Sequence, residues 1–179
     1  MHDILAIAGS PSVSSRSSAV LSHSTELLEA QGLQVETFTI RDIKPEDLVL
    51  ANFESPELQK FTGLVAEATG IMVATPVYKA TYTGILKALL DLLPQYAFLN
   101  KIMFPIATGG TITHLLSLEY SMKPLFAVLG ATHIERGLFI VDSQMQRLDE
   151  GGIQLDAEIE TRLQESLLAF ATAIKAQKV

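Results

Sequence analysis

The 179-residue sequence contains no cysteine. This absence excludes disulfides, thiolate nucleophiles and iron–sulfur clusters, and the four histidines lack the paired spacing of a zinc site. Any chemistry therefore uses an organic cofactor or none. No apolar run approaches the roughly 18 residues that cross a bilayer, and the start, Met1-His2-Asp3, lacks the cationic region of a secretory signal. We therefore expect a cytoplasmic protein that does not enter a membrane.

Positive charge is also scarce. The sequence has 13 Lys and Arg residues against 20 Asp and Glu residues, a net charge of -7. The basic residues form no cluster, which argues against nucleic acid or an anionic membrane as the main partner, so any anion site must be local. With 48% apolar and 18% charged residues the chain is too hydrophobic for intrinsic disorder, and its length suits one domain over residues 1–179.

Short apolar runs of β type alternate with longer segments of helical periodicity. The alternation predicts parallel strands joined by right-handed crossovers, in a three-layer α/β sandwich with helices on both faces of the sheet. Ligands then bind outside the carboxyl ends of the strands. Five strands alternate with five helices in this prediction. The strands are Ile4 to Ala8, Leu33 to Ile40, Gly70 to Ala74, Lys101 to Ala107 and Leu138 to Val141, and the last two helices run from about Leu115 to Leu129 and from Leu155 to Ile174.

The turn after the first strand, residues 9–18, reads GSPSVSSRSS. It has neither the G-x-G-x-x-G spacing of a dinucleotide fold nor the pattern of a P-loop. It does combine short hydroxyl side chains with Arg16 at the start of a helix, where backbone N–H groups attract anions and a guanidinium binds two oxygens at once. A phosphate monoester fits this set best. The alternative is that the serines only cap the helix and fill the loop.

Two further turns lie at the same edge of the predicted sheet. In residues 75–84, Pro76 holds an extended backbone ridge that suits a flat ring, and Tyr78 adds an apolar body with a polar tip. In residues 108–114 a glycine pair lets backbone N–H groups approach ring carbonyls or a ring nitrogen. The alternatives are two tyrosines that cover a sheet edge and an ordinary glycine turn. Together the three turns indicate a phosphorylated planar ligand.

Pro124 lies inside an otherwise helical segment. It lacks the N–H that would bond the carbonyl of Tyr120, and its ring presses on that same carbonyl. The helix must therefore be irregular at Tyr120, through a kink or a one-turn π-bulge, and π-bulges favour functional sites. The alternative is that Tyr120 and Met122 are core side chains on a mildly bent helix.

Several short motifs follow one another in order between residues 5 and 124, and the pattern continues through residues 142–144. They are Gly9-Ser10-Pro11 with Ser15-Arg16-Ser17, Thr75-Pro76-Val77-Tyr78-Lys79 leading to Gly84 and Leu86-Lys87, Ala107-Thr108-Gly109-Gly110, and His114-Leu115-Leu116 followed by Tyr120 and Lys123-Pro124. The ordered set resembles the NADPH-dependent FMN reductases of flavodoxin-like fold. Within that family it is most similar to the flavin reductase component of two-component alkanesulfonate monooxygenase systems. The wider family often carries an acidic residue and Asn where this chain has Val77 and Lys79.

The resemblance implies a five-stranded parallel sheet of order 2-1-3-4-5, with FMN and NADPH as cofactors. It implies that the phosphate of FMN is held by the first turn and the isoalloxazine by the other two. The residues implied to bind FMN are Ser10, Ser12, Ser15, Arg16, Ser17, Pro76, Val77, Tyr78, Lys79, Thr108, Gly109, Gly110 and Thr111. It also places Tyr120, as the catalytic residue, on a π-helix insertion near the flavin at a subunit interface of a homo-oligomer, a dimer or tetramer.

The activity implied by the resemblance is hydride transfer from NADPH to an FMN that dissociates and supplies a partner monooxygenase of sulfur metabolism. Such a reaction needs neither a protein nucleophile nor a metal. Two alternatives on the same fold stay open, because a fold hosts many functions. One is a quinone or azo reductase that retains FMN, and the other is an electron carrier of flavodoxin type.

Overall fold

The computed structural model describes residues 2–148 and 152–177. Its main sheet consists of parallel strands in the order β2-β1-β3-β4, with β5 and β6 both paired to the outer edge of β4. The predicted order 2-1-3-4-5 is confirmed, with β5 and β6 as two pieces of the fifth strand. The strands are β1 (Ile4–Ala8), β2 (Val35–Thr39), β3 (Gly70–Pro76), β4 (Ile102–Gly109), β5 (His133–Ile134) and β6 (Leu138–Val141).

The helices cover both faces of this sheet, which confirms the three-layer architecture. Helices α1 and α6 pack on one face, and α2 to α5 pack on the other. No helix in the described part of the chain is long and apolar enough to cross a bilayer. The helices are α1 (Arg16–Glu29), α2 (Pro45–Val49), α3 (Pro56–Glu67), α4 (Gly84–Asp91), α5 (Lys123–Val128) and α6 (Ala157–Gln177).

The core lies in two layers, one on each side of the sheet. Along β1, Leu5 and Ile7 point into one layer and Ile4 and Ala6 into the other, as the period of two in a strand requires. Each of these four side chains is fully buried. Strands covered on both faces are apolar at every position, which is why they appear in the sequence as continuous apolar runs.

The fifth strand is interrupted opposite Pro105 of β4. Segment β5 pairs with residues Ile102 and Met103, and β6 pairs with residues from Ile106 onward. Proline has no N–H to donate to a neighbouring strand, so pairing fails at that point. The chain passes Pro105 closely at Gly137, where φ is +76° and a Cβ would lie 2.5 Å from the Pro105 carbonyl oxygen.

The prediction that the last helix starts at Leu155 is wrong, because a short strand lies there. Leu155 ends β8 (Ile153–Leu155), which pairs antiparallel with β7 (Met145–Arg147), and α6 begins only at Ala157. Leu155 packs in the same core layer as Ile159 and Leu163 of α6, and it therefore falls in step with the helical spacing. Because Leu155 and the helix residues are buried in the same layer, the apolar spacing extended the predicted helix too far toward its N-terminus.

The prediction of one helix over residues 115–129 is also wrong. The segment follows a 3₁₀ turn at Ile112–His114, and within it a π-helix at Leu118–Met122 precedes α5. The irregularity that Pro124 predicts is confirmed as this π-helix. Pro124 itself lies in the first turn of α5, where a missing N–H leaves no intrahelical bond unmade.

Candidate active site

The loops after β1, β3 and β4 meet at the carboxyl edge of the sheet, as the parallel topology requires. They surround a cavity of about 190 Å³, to which the end of β6 adds Asp142. Besides Asp142 and Ser14, the lining consists of ten predicted cofactor residues: Ser10, Ser12, Ser15, Arg16, Pro76, Val77, Tyr78, Thr108, Gly109 and Gly110. Residues that lie more than 100 positions apart in the chain thus form one site.

The hydroxyls of the first loop divide into structural and accessible groups. Ser15 caps α1 by accepting the N–H of Ser18, and its hydroxyl lies 2.8 Å from that of Ser17. Ser17 is fully buried and does not line the cavity, because it is turned toward Ser15 inside the first turn of the helix. Ser10 is buried beneath the loop and accepts the N–H of Ser12 at 3.2 Å. Ser17 therefore positions Ser15 rather than facing the cavity.

Two arginines brace the first loop. The Arg41 guanidinium donates to the carbonyl of Ser10 at 3.3 Å and to that of Ser12 at 3.1 Å, and Arg147 donates to the carbonyl of Ser14. These contacts engage the carbonyls of Ser10, Ser12 and Ser14 and fix the course of the loop.

Sequence reasoning missed both of these arginines. Arg41 had a usable signal, because it lies two residues after the end of β2, which pairs with β1 and ends at the same edge. Arg147 had none, because it belongs to the β7–β8 hairpin, which periodicity did not predict.

Buried threonines tie the first two loops together. The Thr83 hydroxyl donates to the carbonyl of Gly9 at 2.6 Å, and the Thr83 N–H donates to the Thr75 hydroxyl at 3.2 Å. Thr83 also caps α4 by accepting the N–H of Leu86. A Cβ on Gly9 would lie 2.8 Å from Leu86 Cδ2, so glycine is needed there for α4 to approach β1. These contacts set the distance between the serine-rich loop and the loop of Pro76.

The loop after β3 contains a strained tight turn. Tyr78 and Thr81 pair through backbone hydrogen bonds, and the two residues between them have positive φ, 51° at Lys79 and 75° at Ala80. This is a type I′ pattern, which glycine and asparagine adopt most easily. Such strain is typical of binding loops that the surrounding structure holds in place. Tyr78 lines the cavity, whereas Lys79, at the exposed tip, does not.

The two glycines of the fourth-strand loop differ in role. A Cβ on Gly109 would lie 3.1 Å from the ring of Phe139, so Gly109 allows close packing between β4 and β6. A Cβ on Gly110 would meet nothing within 4 Å, and its backbone lies open at the cavity. Thr111 does not line the cavity, because its hydroxyl caps the next 3₁₀ turn by accepting the Thr113 N–H. Gly110 is thus the open backbone position at this edge.

One cation and one anion line the cavity. The Arg16 Nη1 atom lies 3.4 Å from Asp142 Oδ2, and the two side chains are 51% and 37% exposed. This distance exceeds the 2.7–2.9 Å that is usual for a charge-assisted bond. The pair is therefore loose and accessible from solvent.

Tyr120 lies outside this cavity. It is 77% exposed on the π-helix, and the neighbouring Ile112 and Leu116 are 58% and 56% exposed. Large apolar side chains that are exposed together mark an interaction surface. We call these three residues the π-helix surface.

The cavity lining suits a phosphorylated planar ligand. Serine hydroxyls, the Arg16 guanidinium and the N-terminus of α1 suit a phosphate. The extended backbone at Pro76 and the open backbone of Gly110 border the space where a flat ring with polar edges would lie.

The family model for NADPH-dependent FMN reductase matches residues 2–146. The chain belongs to the NADPH-dependent FMN reductase family. This reductase is 45% identical over 172 residues to the FMN reductase (NADPH) of Pseudomonas putida KT2440, which covers 96% of this chain and 87% of the relative. It is 42% identical over 176 residues to the FMN reductase (NADPH) of Escherichia coli K12, at 98% and 92% coverage.

Among solved structures, the reductase is similar to the apo form of the NADH:FMN oxidoreductase EMOB. The TM-score is 0.87 at 30% identity, over 97% of this chain and 90% of that one. Family membership makes the protein an oxidoreductase that reduces FMN with a reduced nicotinamide nucleotide.

Proposed function

We propose that the enzyme takes FMN as an exchangeable substrate, reduces it with NADPH and releases the reduced flavin to a partner monooxygenase. The observation that carries this proposal is the meeting of the hydroxyl-and-arginine loop, the Pro76 ridge and the open Gly110 backbone around one cavity. The match of residues 2–146 to the family supports it. The proposal places the enzyme in the cytoplasm, where reduced nicotinamide nucleotides are regenerated.

The phosphate of FMN is assigned to the first loop. Ser12 and Ser15 donate hydroxyls, Arg16 supplies the positive charge, and Ser10 and Ser17 hold the loop from beneath. The positive end of α1 adds to the attraction. Arg41 and Arg147 keep the loop carbonyls away from the phosphate by engaging them.

The isoalloxazine is assigned to the other two loops. Pro76, Val77 and Tyr78 border one side of the ring, and the backbone from Thr108 to Gly110 meets its polar edge. Lys79 and Thr111 act through the backbone turns that they form and not as direct contacts.

The protein's part in the reaction is orientation. When bound, FMN supplies the ring nitrogen that accepts a hydride from the nicotinamide of NADPH. The strained turn at Tyr78 and the β3–β4 backbone hold the ring at a fixed angle, and this converts an encounter of two substrates into one oriented complex. NADPH is proposed over NADH because the relatives at 45% and 42% identity carry NADPH in their names, while the structurally similar oxidoreductase is named for NADH.

We also propose that the π-helix surface forms the contact between subunits of a homo-oligomer, a dimer or tetramer. It directly follows the loop of Gly110, so a second subunit there would lie next to the ring end of the cavity. Tyr120 would then act on flavin exchange from the interface. Light scattering after size exclusion tests this assembly, and a monomer at micromolar concentration would contradict it.

The decisive experiment is a spectrophotometric assay of NADPH oxidation with free FMN varied and no other acceptor present. Saturable dependence on added FMN is expected. An electron carrier would keep its flavin and oxidise no NADPH, and a quinone or azo reductase would turn over only with an aromatic acceptor.

The partner is tested by coupling the reductase to an alkanesulfonate monooxygenase and measuring sulfite release. Sulfite release that depends on the reductase, NADPH and catalytic amounts of FMN is expected. This link rests on the ordered motifs from Gly9 to Pro124, which are most similar to the reductases of those systems. A reductase from an unrelated pathway is the control. If the partnership is specific, the present enzyme should support more sulfite release than the control reductase at an equal supply of reduced flavin.

A further inference from the structure

We propose that Asp142 is the residue that sets the affinity for FMN, by occupying Arg16 in the place of the phosphate and repelling the incoming dianion. The inference rests on the assignment of the phosphate to the loop of Arg16. It explains in physical terms how a site with several phosphate-binding groups can still release its flavin in every turnover.

The position of Asp142 is fixed by the sheet. It is the first residue after β6, which pairs with β4 up to Gly109, and so it lies at the same edge as the start of α1. The turn that follows is closed by the Val141 N–H, which donates to the Gln144 side chain at 2.9 Å. The carboxylate is therefore held at the cavity by the backbone and does not reach it by chance from a flexible loop.

The contact between Asp142 and Arg16 is of a kind that a phosphate can replace. The distance of 3.4 Å is long for a charge-assisted bond, and both side chains are substantially exposed. Exposed pairs of this kind contribute little to stability. A phosphate that binds the Arg16 fork with two oxygens displaces the single carboxylate oxygen, and the displaced Asp142 remains nearby as an uncompensated negative charge.

The other two arginines around the loop bond backbone carbonyls and do not reach the cavity. Arg41 is engaged with the carbonyls of Ser10 and Ser12, and Arg147 with the carbonyl of Ser14. Neither of them lines the cavity. Arg16 is therefore the cation over which phosphate and carboxylate compete.

The experiment measures the dissociation constants of FMN and riboflavin by flavin fluorescence for the wild type and for Asp142→Asn. The amide has the size of the carboxylate without its charge. We expect the FMN dissociation constant to fall by about five- to thirty-fold, since one weak ion pair and one like-charge repulsion are removed. Riboflavin, which has no phosphate, should change by less than twofold. Asp142→Glu keeps the charge and should keep the weak FMN affinity.

Two controls make the result specific. Asp91→Asn removes a carboxylate at the far end of α4, where it pairs with Lys87, and should leave both constants unchanged. In 1 M salt, where the Debye length is about 3 Å, the difference between wild type and Asp142→Asn should shrink. Asp142→Asn should also retain more flavin through purification.

The outcomes separate this inference from the assignment on which it depends. The inference is wrong, although the phosphate site stands, if Asp142→Asn binds FMN no better than the wild type while Arg16→Ala weakens the binding of FMN and not of riboflavin. Weaker FMN binding by Asp142→Asn would mean that Asp142 orients Arg16. If FMN and riboflavin bind equally in the wild type and Arg16→Ala changes neither, the phosphate assignment itself fails.

Discussion

The backbone N–H of Lys123 donates to the carbonyl of Leu118, five residues back instead of four. This wide turn forms directly ahead of Pro124, the residue that cannot donate to Tyr120. The ion pair from Lys123 Nζ to Glu119 Oε1, 2.7 Å long, spans the same turn. Tyr120 lies on this irregular turn, and its side chain is 77% exposed.

Replacing Tyr120 tests this surface. If Tyr120 acts on flavin exchange at a subunit contact, as proposed above, Tyr120→Ala should retain flavin through purification and lose turnover with free FMN several-fold. Absorbance at 450 nm of the purified protein and steady-state NADPH oxidation measure the two effects. Leu168→Ala, at an exposed apolar position on α6, should behave as the wild type. Colourless Tyr120→Ala protein with full turnover would contradict the prediction.

Replacing Arg16 tests the phosphate site. Arg16→Ala should weaken FMN binding by about 1.5 to 3 kcal/mol, the usual contribution of a hydrogen bond to a charged group. Riboflavin binding should not change, because the lost contact is to the phosphate. Arg16→Lys keeps the charge without the planar fork, and its FMN affinity should lie between those of the wild type and Arg16→Ala. Fluorescence titration of each variant decides the matter, and an unaltered FMN constant for Arg16→Ala would refute the assignment.

The tight turn at Lys79 and Ala80 predicts an unusual effect of glycine. Ala80 has a φ of 75°, so Ala80→Gly relieves left-handed strain and should raise the free energy of unfolding by about 0.5 to 1 kcal/mol. The matched change Ala169→Gly, at an exposed position inside α6, should lower it by about 1 kcal/mol. Urea denaturation measures both. Equal destabilisation by the two glycines would mean that the turn is not strained.

Ser55 links the stability of the α2–α3 region to pH. The Glu57 backbone N–H, the Ser55 hydroxyl at 3.0 Å and the Lys44 ammonium hold the pKa of Glu57 below its ordinary value. We expect Ser55→Ala to raise that pKa, as measured by NMR titration. Ser166→Ala, whose hydroxyl bonds a helix carbonyl, is the control and should leave it unchanged.

The sign of the pH effect follows from the direction of this shift. A carboxyl with a lowered pKa in the folded state stabilises the fold above its unfolded pKa, about 4.3 for Glu, and loses that contribution as the pH falls through the folded pKa. The stability difference between the wild type and Ser55→Ala should therefore be present at neutral pH and shrink below about pH 4. A difference that is constant from pH 7 to pH 3 would show that Ser55 acts by packing alone.

Much of the site was predictable because the loops that follow parallel strands all lie at the carboxyl edge of the sheet. Once strands were predicted to end near Ala8 and Ala74, the loops of Arg16 and Tyr78 had to meet at one edge. Ser17 shows the limit of that reasoning. Its residue type fits phosphate binding, but the first turn of α1 directs its hydroxyl to Ser15.

The sequence by itself determined where the main strands lie, which loops meet at the carboxyl edge of the sheet and where the helix breaks ahead of Pro124, because apolar period, turn residues and a missing N–H act locally. The order of the strands was implied by the resemblance of the ordered motifs to the family. Only the tertiary structure decided the β7–β8 hairpin, the braces from Arg41 and Arg147, and the pairing of Arg16 with Asp142. Each of these joins groups that are distant along the chain. Their meeting depends on contacts between separate strands and loops, and such contacts leave no periodic pattern in the sequence.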